Sequence, residues 1–231
     1  MKADTSENIR YRHEWKHEIN YADMLVLRAR LGAILRPDPH AVGGRYLIRS
    51  LYWDNQHDKA LREKIDGVNM REKFRIRYYN GDTSLIHLEK KSKRSGLGTK
   101  YAANLTAEEV QKILQGDYGF LMESAQPLLQ ELYVKIQYQG LRPRTIVDYI
   151  REPFIFDAGN VRVTLDYDIR TSLHCEGFLD PDCVTIPAGD APAILEVKWD
   201  DYLPSIVRDA VQLPGRRESA FSKYAQCRVY G

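Results

Sequence analysis

The chain is short of the groups on which much familiar chemistry depends. Its three cysteines, Cys175, Cys183 and Cys227, show no C-x-x-C spacing. An odd, scattered set argues against a disulfide framework or a structural zinc site and fits reduced thiols. The six histidines are equally scattered and form no H-E-x-x-H, so a histidine-based metal centre is not expected. No Ser-His-Asp or Cys-His pattern supplies a nucleophile with its base. No run of about 18 apolar residues occurs, and the opening MKADTSENIRYRHEWKHE is polar, so neither a membrane span nor a secretory signal is expected and a cytoplasmic location is the default. Net charge is only +2, too little for a general nucleic-acid binder, and no specific nucleic-acid partner is expected. With no internal repeat, low-complexity segment or long linker, residues 10–231 read as a single domain behind a loose tail at 1–9.

What is present is an ordinary globular balance, 43% apolar and 29% charged, with fifteen tyrosines largely in or beside strand-like runs. The organising stretch is Met70 to Lys93, MREKFRIRYYNGDTSLIHLEKKSK, two alternating runs joined by Asn80-Gly81-Asp82, a strong hairpin signal. In the first run Arg71, Lys73, Arg75 and Arg77 share one face and Phe74, Ile76 and Tyr78 the other. In the second, Ile86 and Leu88 oppose His87, Glu89, Lys91 and Lys93. Same-face cations about 6 to 7 Å apart repel by about 0.6 kcal/mol per pair in water, and several-fold more where water is partly excluded. Something anionic should relieve that. Arg71 and Lys73, at the start of the strand, read as surface charges; His87 reads as a spectator, and strand Tyr and Trp residues as core.

Taken in order, Arg10 to Ile19 reads as a strand with Arg12, Glu14, Lys16 and Glu18 on one face. Asn20 caps a helix from Tyr21 to about Leu35, with Met24, Leu25, Leu27, Leu31 and Ile34 at helical spacing, ended by Pro37 and Pro39. A strand at Arg45 to Trp53 and a short helix around Asn55 to Ile65 follow. Arg94 to Lys100, RSGLGTK, reads as a basic loop after the hairpin. Thr106-Ala-Glu-Glu109 is a capping box, and helix is expected again over Phe120 to Gln139, with Pro127 a candidate for its true start. Strands resume at Arg144 to Phe156, where alternation does not decide which way Arg151 points, and at Val161 to Arg170. There Val161, Val163, Leu165, Tyr167 and Ile169 oppose Arg162, Thr164, Asp166, Asp168 and Arg170. Residues 171–192 read as an irregular excursion with a short strand at Cys183 to Ile186. In a strand at Ala193 to Trp199, Leu195, Val197 and Trp199 oppose Ile194, Glu196 and Lys198. Helices at Pro204 to Val211 and Ser219 to Arg228 close the chain.

Strand after strand thus pairs an apolar row with a charged one. If helices cover the apolar side, the expected class is α+β: an antiparallel β-barrel, a tunnel, with helices packed on its outer face. Its basic interior suits a phosphate chain, because guanidinium forks bind oxygen pairs and ammonium groups act as point charges. Glu14, Glu89 and Glu196 would repel phosphate unless they hold Mg²⁺ or Mn²⁺ bridging to its oxygens. Asp166 and Asp168 read as partners of tunnel arginines.

The blocks RHEWKHEI, REKFRIRYYN, LEKKSKRSG, YIREPF, VRVTLDYDIR, ILEVKW and FSKY follow one another in the order seen in the VTC domain, and from about Arg10 to Arg228 the chain resembles that family. It is the polyphosphate polymerase domain of the triphosphate tunnel metalloenzymes, the CYTH-like superfamily. The resemblance implies that a metal-bound ATP gives its γ-phosphate to a polyphosphate chain leaving through the tunnel. It implies a phosphoryl-transfer role for Arg75, Arg77, Lys91, Arg151, Arg162 and Lys198, and substrate binding by Lys16, Lys93, Lys100, Tyr149, Ser222 and Lys223. Metal binding falls to Glu196, with Glu89 and Glu14. Where the superfamily has E-x-E-x-K this chain has Arg12-x-Glu14-x-Lys16, a departure that favours the polymerase branch over the triphosphatases. Hydrolysis of inorganic or nucleoside triphosphates, and non-catalytic binding of polyphosphate or inositol phosphates, stay open as alternatives. So does the need for a membrane-protein partner that takes the product.

Overall fold

A computed structural model describes residues 12–94, 97–190 and 193–230. The expected tail at 1–9, the first two residues of the expected first strand and Ser95-Gly96 of the expected basic loop lie outside the described residues. The chain starts with strand β1 (His13–Ile19), helix α1 (Tyr21–Ile34), the two-residue β2 (Arg36–Pro37), β3 (Tyr46–Asp54) and α2 (Lys59–Ile65). Then come β4 (Met70–Tyr79), β5 (Asp82–Arg94), β6 (Leu97–Leu105) and helices α3 (Ala107–Leu114), α4 (Gly119–Glu123) and α5 (Pro127–Gln139). The long β7 (Arg142–Phe156) and β8 (Val161–Ser172) precede β9 (Ile186–Pro187), β10 (Ala193–Trp199), α6 (Ser205–Val211) and α7 (Lys223–Tyr230).

The strands form one antiparallel sheet in the order β1-β10-β8-β7-β3-β4-β5-β6, with β2 on β7 and β9 on β8. It curls into a half-barrel. Asn80 and Gly81 both take positive φ (54° and 73°), as a two-residue hairpin turn requires, and bring Tyr79 opposite Asp82. The convex side is apolar. Met24, Leu27 and Leu31 of α1 and Val207 and Val211 of α6 pack on Ile19, Val163, Leu165, Leu195 and Val197. On the other half, α3, α4 and α5 cover Phe74, Ile76, Ile86 and Leu88. Helices α2 and α7 lie on the concave side, where Tyr224 and Cys227 of α7 meet Ile48, Tyr52, Val147, Tyr149 and Ile194.

Local signals account for most element ends. Asn20 caps α1 in a reciprocal box with Asp23 (2.8 and 3.0 Å), and Thr106 caps α3 with Glu109. The buried Asp54 carboxylate accepts from the N–H groups of Ala60 and Leu61 (2.9 and 3.0 Å) at the start of α2 and from the Tyr224 hydroxyl (2.7 Å), so one side chain anchors both concave helices.

The structure corrects several sequence expectations. Leu25 is 46% exposed and takes no part in the core of α1. Helix over 120–139 breaks at Ser124 to Gln126 and restarts at Pro127. Most of the expected loop at 94–100 is strand: Leu97 begins β6, with Gly98 opposite Lys93 and Lys100 opposite Lys91. The strand expected at Cys183 to Ile186 is reduced to β9. In β8, Asp168 adopts φ 50°, and Asp168 and Ile169 together oppose the single residue Tyr149. This β-bulge turns Ile169 to the concave side with Tyr149 and Cys227, and Asp168 and Arg170 away from it. The last helix starts at Lys223 rather than Ser219, because Glu218 bridges His17 and the Ser219 N–H donates to the Lys16 carbonyl (2.8 Å), holding this stretch along β1. Ser222 then accepts from the Ala225 N–H as the helix cap.

Candidate active site

The concave rows enclose a cavity of ≈ 1490 Å³. β4 lines it with Arg71, Lys73, Arg75 and Arg77, β5 with Lys91 and Lys93, and β6 with Lys100. From across the half-barrel come Arg151, Arg162, Glu196, Lys198, Glu14 and Lys16. Ser222 reaches the wall from the start of α7. Tyr149, Lys223 and Glu89 do not line it; they stand behind the wall and hold residues that do.

Three interlocks fix the wall. Around Glu89, which is 3% exposed, Arg75 donates at 2.6 Å, Lys100 at 2.5 Å, and Arg77 stands 4.0 Å away. Burial opposes this carboxylate, yet Arg75, Arg77 and Lys100 hold it far below the ordinary range. Arg75 also donates to the Tyr52 hydroxyl (2.9 Å), and Arg77 to Ser50 (2.8 Å) and Tyr149 (3.1 Å). Around Asp166, Arg151 makes a two-pronged contact (2.6 and 2.7 Å) and Lys223 a third (2.5 Å). The Tyr149 ring lies beside both cations, with Lys223 Nζ 4.7 Å from its centroid. Thus Arg151 points into the concave side, a direction set by β7 pairing rather than by its composition.

The third interlock spans β1 and β10, where Lys16 pairs with Glu196 and Glu14 with Lys198 in register. Lys16 reaches Glu14 (3.1 Å) and Glu196 (3.7 Å), while Lys198 reaches Glu14 (3.2 Å) and also bonds Glu196. Burial and mutual repulsion work against two carboxylates so close, but Lys16 and Lys198 keep both ionised below their usual range. Among the described residues no group of three or more His, Cys, Asp or Glu side chains is placed to hold a metal. The donor set does fit a hard cation that takes one or two carboxylates and leaves its other positions to phosphate and water. Glu14 and Glu196, both on the cavity wall, would be the carboxylates offered to such a cation. Glu89, also expected as a metal ligand, stands behind the wall with its oxygens on Arg75 and Lys100.

Sequence reasoning places Thr164 in the charged row and Tyr52 in the core, as found, but leaves their roles at this wall, and that of Lys73, unread. Lys73, read as a surface charge, lies 5.7 Å from the Tyr52 ring centroid, and Lys91 feels Glu196 and Glu14 only at longer range than a direct ion pair. Burial brings Lys73 down to about 8 and, with Arg75 and Lys198 adding repulsion, takes Lys91 well below the usual lysine range. Thr164 is 2% exposed on the wall, and its hydroxyl has no partner among the described residues. Tyr52, taken as plain core, sits opposite Arg75. Despite burial, Arg75, Lys73 and Arg77 bring its hydroxyl down to about 7. The one usable signal was parity: Tyr52 and Thr164 occupy the same rows as Ser50 and Glu196.

These shifts predict an unusual stability profile. Between about pH 7 and 10 the unfolded chain keeps the Tyr52 proton that the folded chain has released, and between about 8 and 10 the same holds for Lys73. Both terms therefore make the ligand-free protein more stable as pH rises, by up to about 1.4 kcal/mol per unit for each group. Urea midpoints measured at intervals from pH 7 to 9 should climb, and Tyr52→Phe should flatten the climb. A midpoint that falls over this range in wild type would refute the assignment.

A sequence model of the VTC domain matches residues 11–230. Among solved structures, the PH1012 protein of Pyrococcus horikoshii OT3 aligns at 12% identity with a TM-score of 0.51, covering 93% of this chain and 98% of that one. A Bacillus halodurans protein described as a "putative adenylate cyclase" aligns at 13% identity and TM-score 0.50, covering 87% and 85%. At such identities the likeness is one of fold. No curated protein matches the sequence.

Proposed function

The chain belongs to the VTC domain family, and from that premise we propose that it is a polyphosphate polymerase, moving the γ-phosphate of ATP onto the terminal oxygen of a polyphosphate chain. The bond between Pγ and the β,γ-bridging oxygen breaks, ADP departs, and a new anhydride bond forms to the chain. The observation that carries the reading is the excess of wall cations over carboxylates, with burial and neighbouring cations pulling Lys73 and Lys91 below the usual lysine range despite the pull of Glu196 on Lys91. An extended polyanion would complete that wall along its length, where a single small anion would leave most of it repelling.

In this reading Arg75, Arg77 and Lys91 on one side and Arg151, Arg162 and Lys198 on the other align and neutralise the phosphates, which is most of what phosphoryl transfer asks of a protein. Glu89 keeps Arg75 and Lys100 in place, and Asp166 and Tyr149 do the same for Arg151. Lys16 and Lys93 extend the row of cations along the chain's path. Glu14 and Glu196 would hold Mn²⁺ or Mg²⁺, whose contribution is to draw charge from phosphate oxygens. Among the described residues no helix is long and apolar enough to cross a membrane.

The test is incubation with ATP and Mn²⁺ or Mg²⁺, resolving products by ³¹P NMR beside an Arg75→Ala control. Internal-phosphate signal growing with ADP, and lost in the variant, is the expected result. Orthophosphate as the sole product would replace the polymerase with a triphosphatase. Tight polyphosphate binding without turnover would replace it with a receptor.

A further inference from the structure

Strand β6 ends the sheet among the described residues. Near its C-terminal end the edge is closed in an instructive way. The Asn104 N–H donates to Gln126 Oε1 (2.9 Å), and Gln126 Nε2 donates to the Asn104 carbonyl (3.0 Å). A primary carboxamide, an acceptor and a donor on one carbon, therefore pairs with both polar groups of one edge residue. In an antiparallel ladder the residues that turn N–H and C=O away from the neighbouring strand alternate, so Ala102 and Lys100 present the same pair as Asn104 does. Ala102 lines the cavity, as do Ala125, Pro127 and Leu128 on either side of Gln126. It is opposite Glu89, which is opposite Arg75. Two strand spacings, about 10 Å, separate its backbone from that of Arg75, and the Lys100 ammonium stands between.

We propose that the backbone edge at Ala102 is a nucleobase subsite, reading the N1–C6–N6 edge of an adenine whose triphosphate runs toward Lys100 and Arg75. The adenine edge carries an acceptor and a donor on adjacent atoms about one carbon, the pattern that Gln126 already offers one ladder step away. Ala125, Pro127 and Leu128 give the ring an apolar surround, and Ala102 contributes no side chain that would block it. The charge complement is continuous with the cavity, since the phosphates leave the base in the direction of the cations. The inference rests on the triphosphate-handling reading of the cavity and adds to it the feature that tells a nucleotide from inorganic triphosphate.

Titration calorimetry with ATP, N6,N6-dimethyl-ATP and inorganic tripolyphosphate, on wild type and Ala102→Pro, tests it. Proline removes the outward N–H alone and leaves the β5–β6 ladder intact, as edge positions allow. The expected result is that the ratio of ATP to tripolyphosphate affinity falls about tenfold in Ala102→Pro, the size of one lost hydrogen bond in a desolvated site. Wild type should lose a similar factor with the dimethylated nucleotide, which lacks the donor. Equal losses for ATP and tripolyphosphate in the variant, or dimethyl-ATP binding as well as ATP, would overturn the subsite. Failure of tripolyphosphate to bind wild type at all would instead strike the cavity reading, so the two can be told apart.

Discussion

Glu196→Gln is expected to lower the turnover number by about 10²- to 10³-fold while leaving the affinity for tripolyphosphate unchanged or tighter. Glu196 is 5% exposed and ringed by Lys16, Lys198 and Arg151, the last at 3.9 Å. Glu196 and Glu14 put negative charge on a wall rich in cations and would repel phosphate, so deleting the Glu196 charge should help binding; in the proposed reading Glu196 offsets that repulsion by holding a cation that acts during transfer. Glutamine keeps the shape and one acceptor, and Glu14 remains to partner Lys16 and Lys198, so the fold should survive. A urea midpoint close to wild type would confirm that. The deciding pair of measurements is the turnover number with saturating Mn²⁺ and the dissociation constant for tripolyphosphate without metal. Unchanged turnover would remove Glu196 from the metal site, and weakened metal-free binding would mean that its role is to hold the lysines in place.

Much of this wall was legible because β4 obeys period two without exception. Arg71, Lys73, Arg75 and Arg77 had to share a face once Phe74, Ile76 and Tyr78 were buried, and the buried row is observed. The parts that were not legible depend on pairing between strands distant in sequence. Nothing local marks Asp168 as the residue that adopts positive φ, because Asp-Ile continues the alternation it breaks; the reversal that sends Ile169 inward exists only in the register against Tyr149. β6 escaped because Gly98 and two adjacent alanines carry neither β-branching nor clean alternation, and its strand character comes from pairing along β5. Tyr52 read as core because aromatic residues usually are; only the β3–β4 register shows it opposite Arg75. The Glu89 interlock needs Lys100, and Lys100 reaches it only once β6 is a strand.

Asp166 reads in sequence as the partner of a tunnel arginine; that the arginine is Arg151 and that Lys223 joins it is visible only in the structure, and breaking this interlock should give the largest loss of stability. Asp166 is fully buried, and its partners Arg151 and Lys223 have side chains only 14% and 11% exposed. Replacing it with alanine removes the directly bonded counter-charge of two enclosed cations and leaves them only Glu196, 3.9 Å from Arg151, a change expected to destabilise by about 3 to 5 kcal/mol, against a total of about 5 to 15 for a domain. Lys223→Met should be milder, since Asp166 keeps its two bonds from Arg151, and Asp166→Ala with Lys223→Met should recover part of the loss because one orphaned charge is gone. Urea unfolding of the three variants measures this directly, and a single-variant loss below about 1 kcal/mol would show that the carboxylate is not the counter-charge argued here. The same defect links stability to the cavity. Arg151 lines the wall that Lys223 supports from behind, so an anion in the cavity can supply the charge that Asp166 no longer does. Tripolyphosphate should therefore raise the midpoint of Asp166→Ala by more than it raises that of wild type, because a ligand stabilises in proportion to how much better it binds the folded state. An equal rise in both would mean that the phosphate and the Asp166 carboxylate act on separate cations.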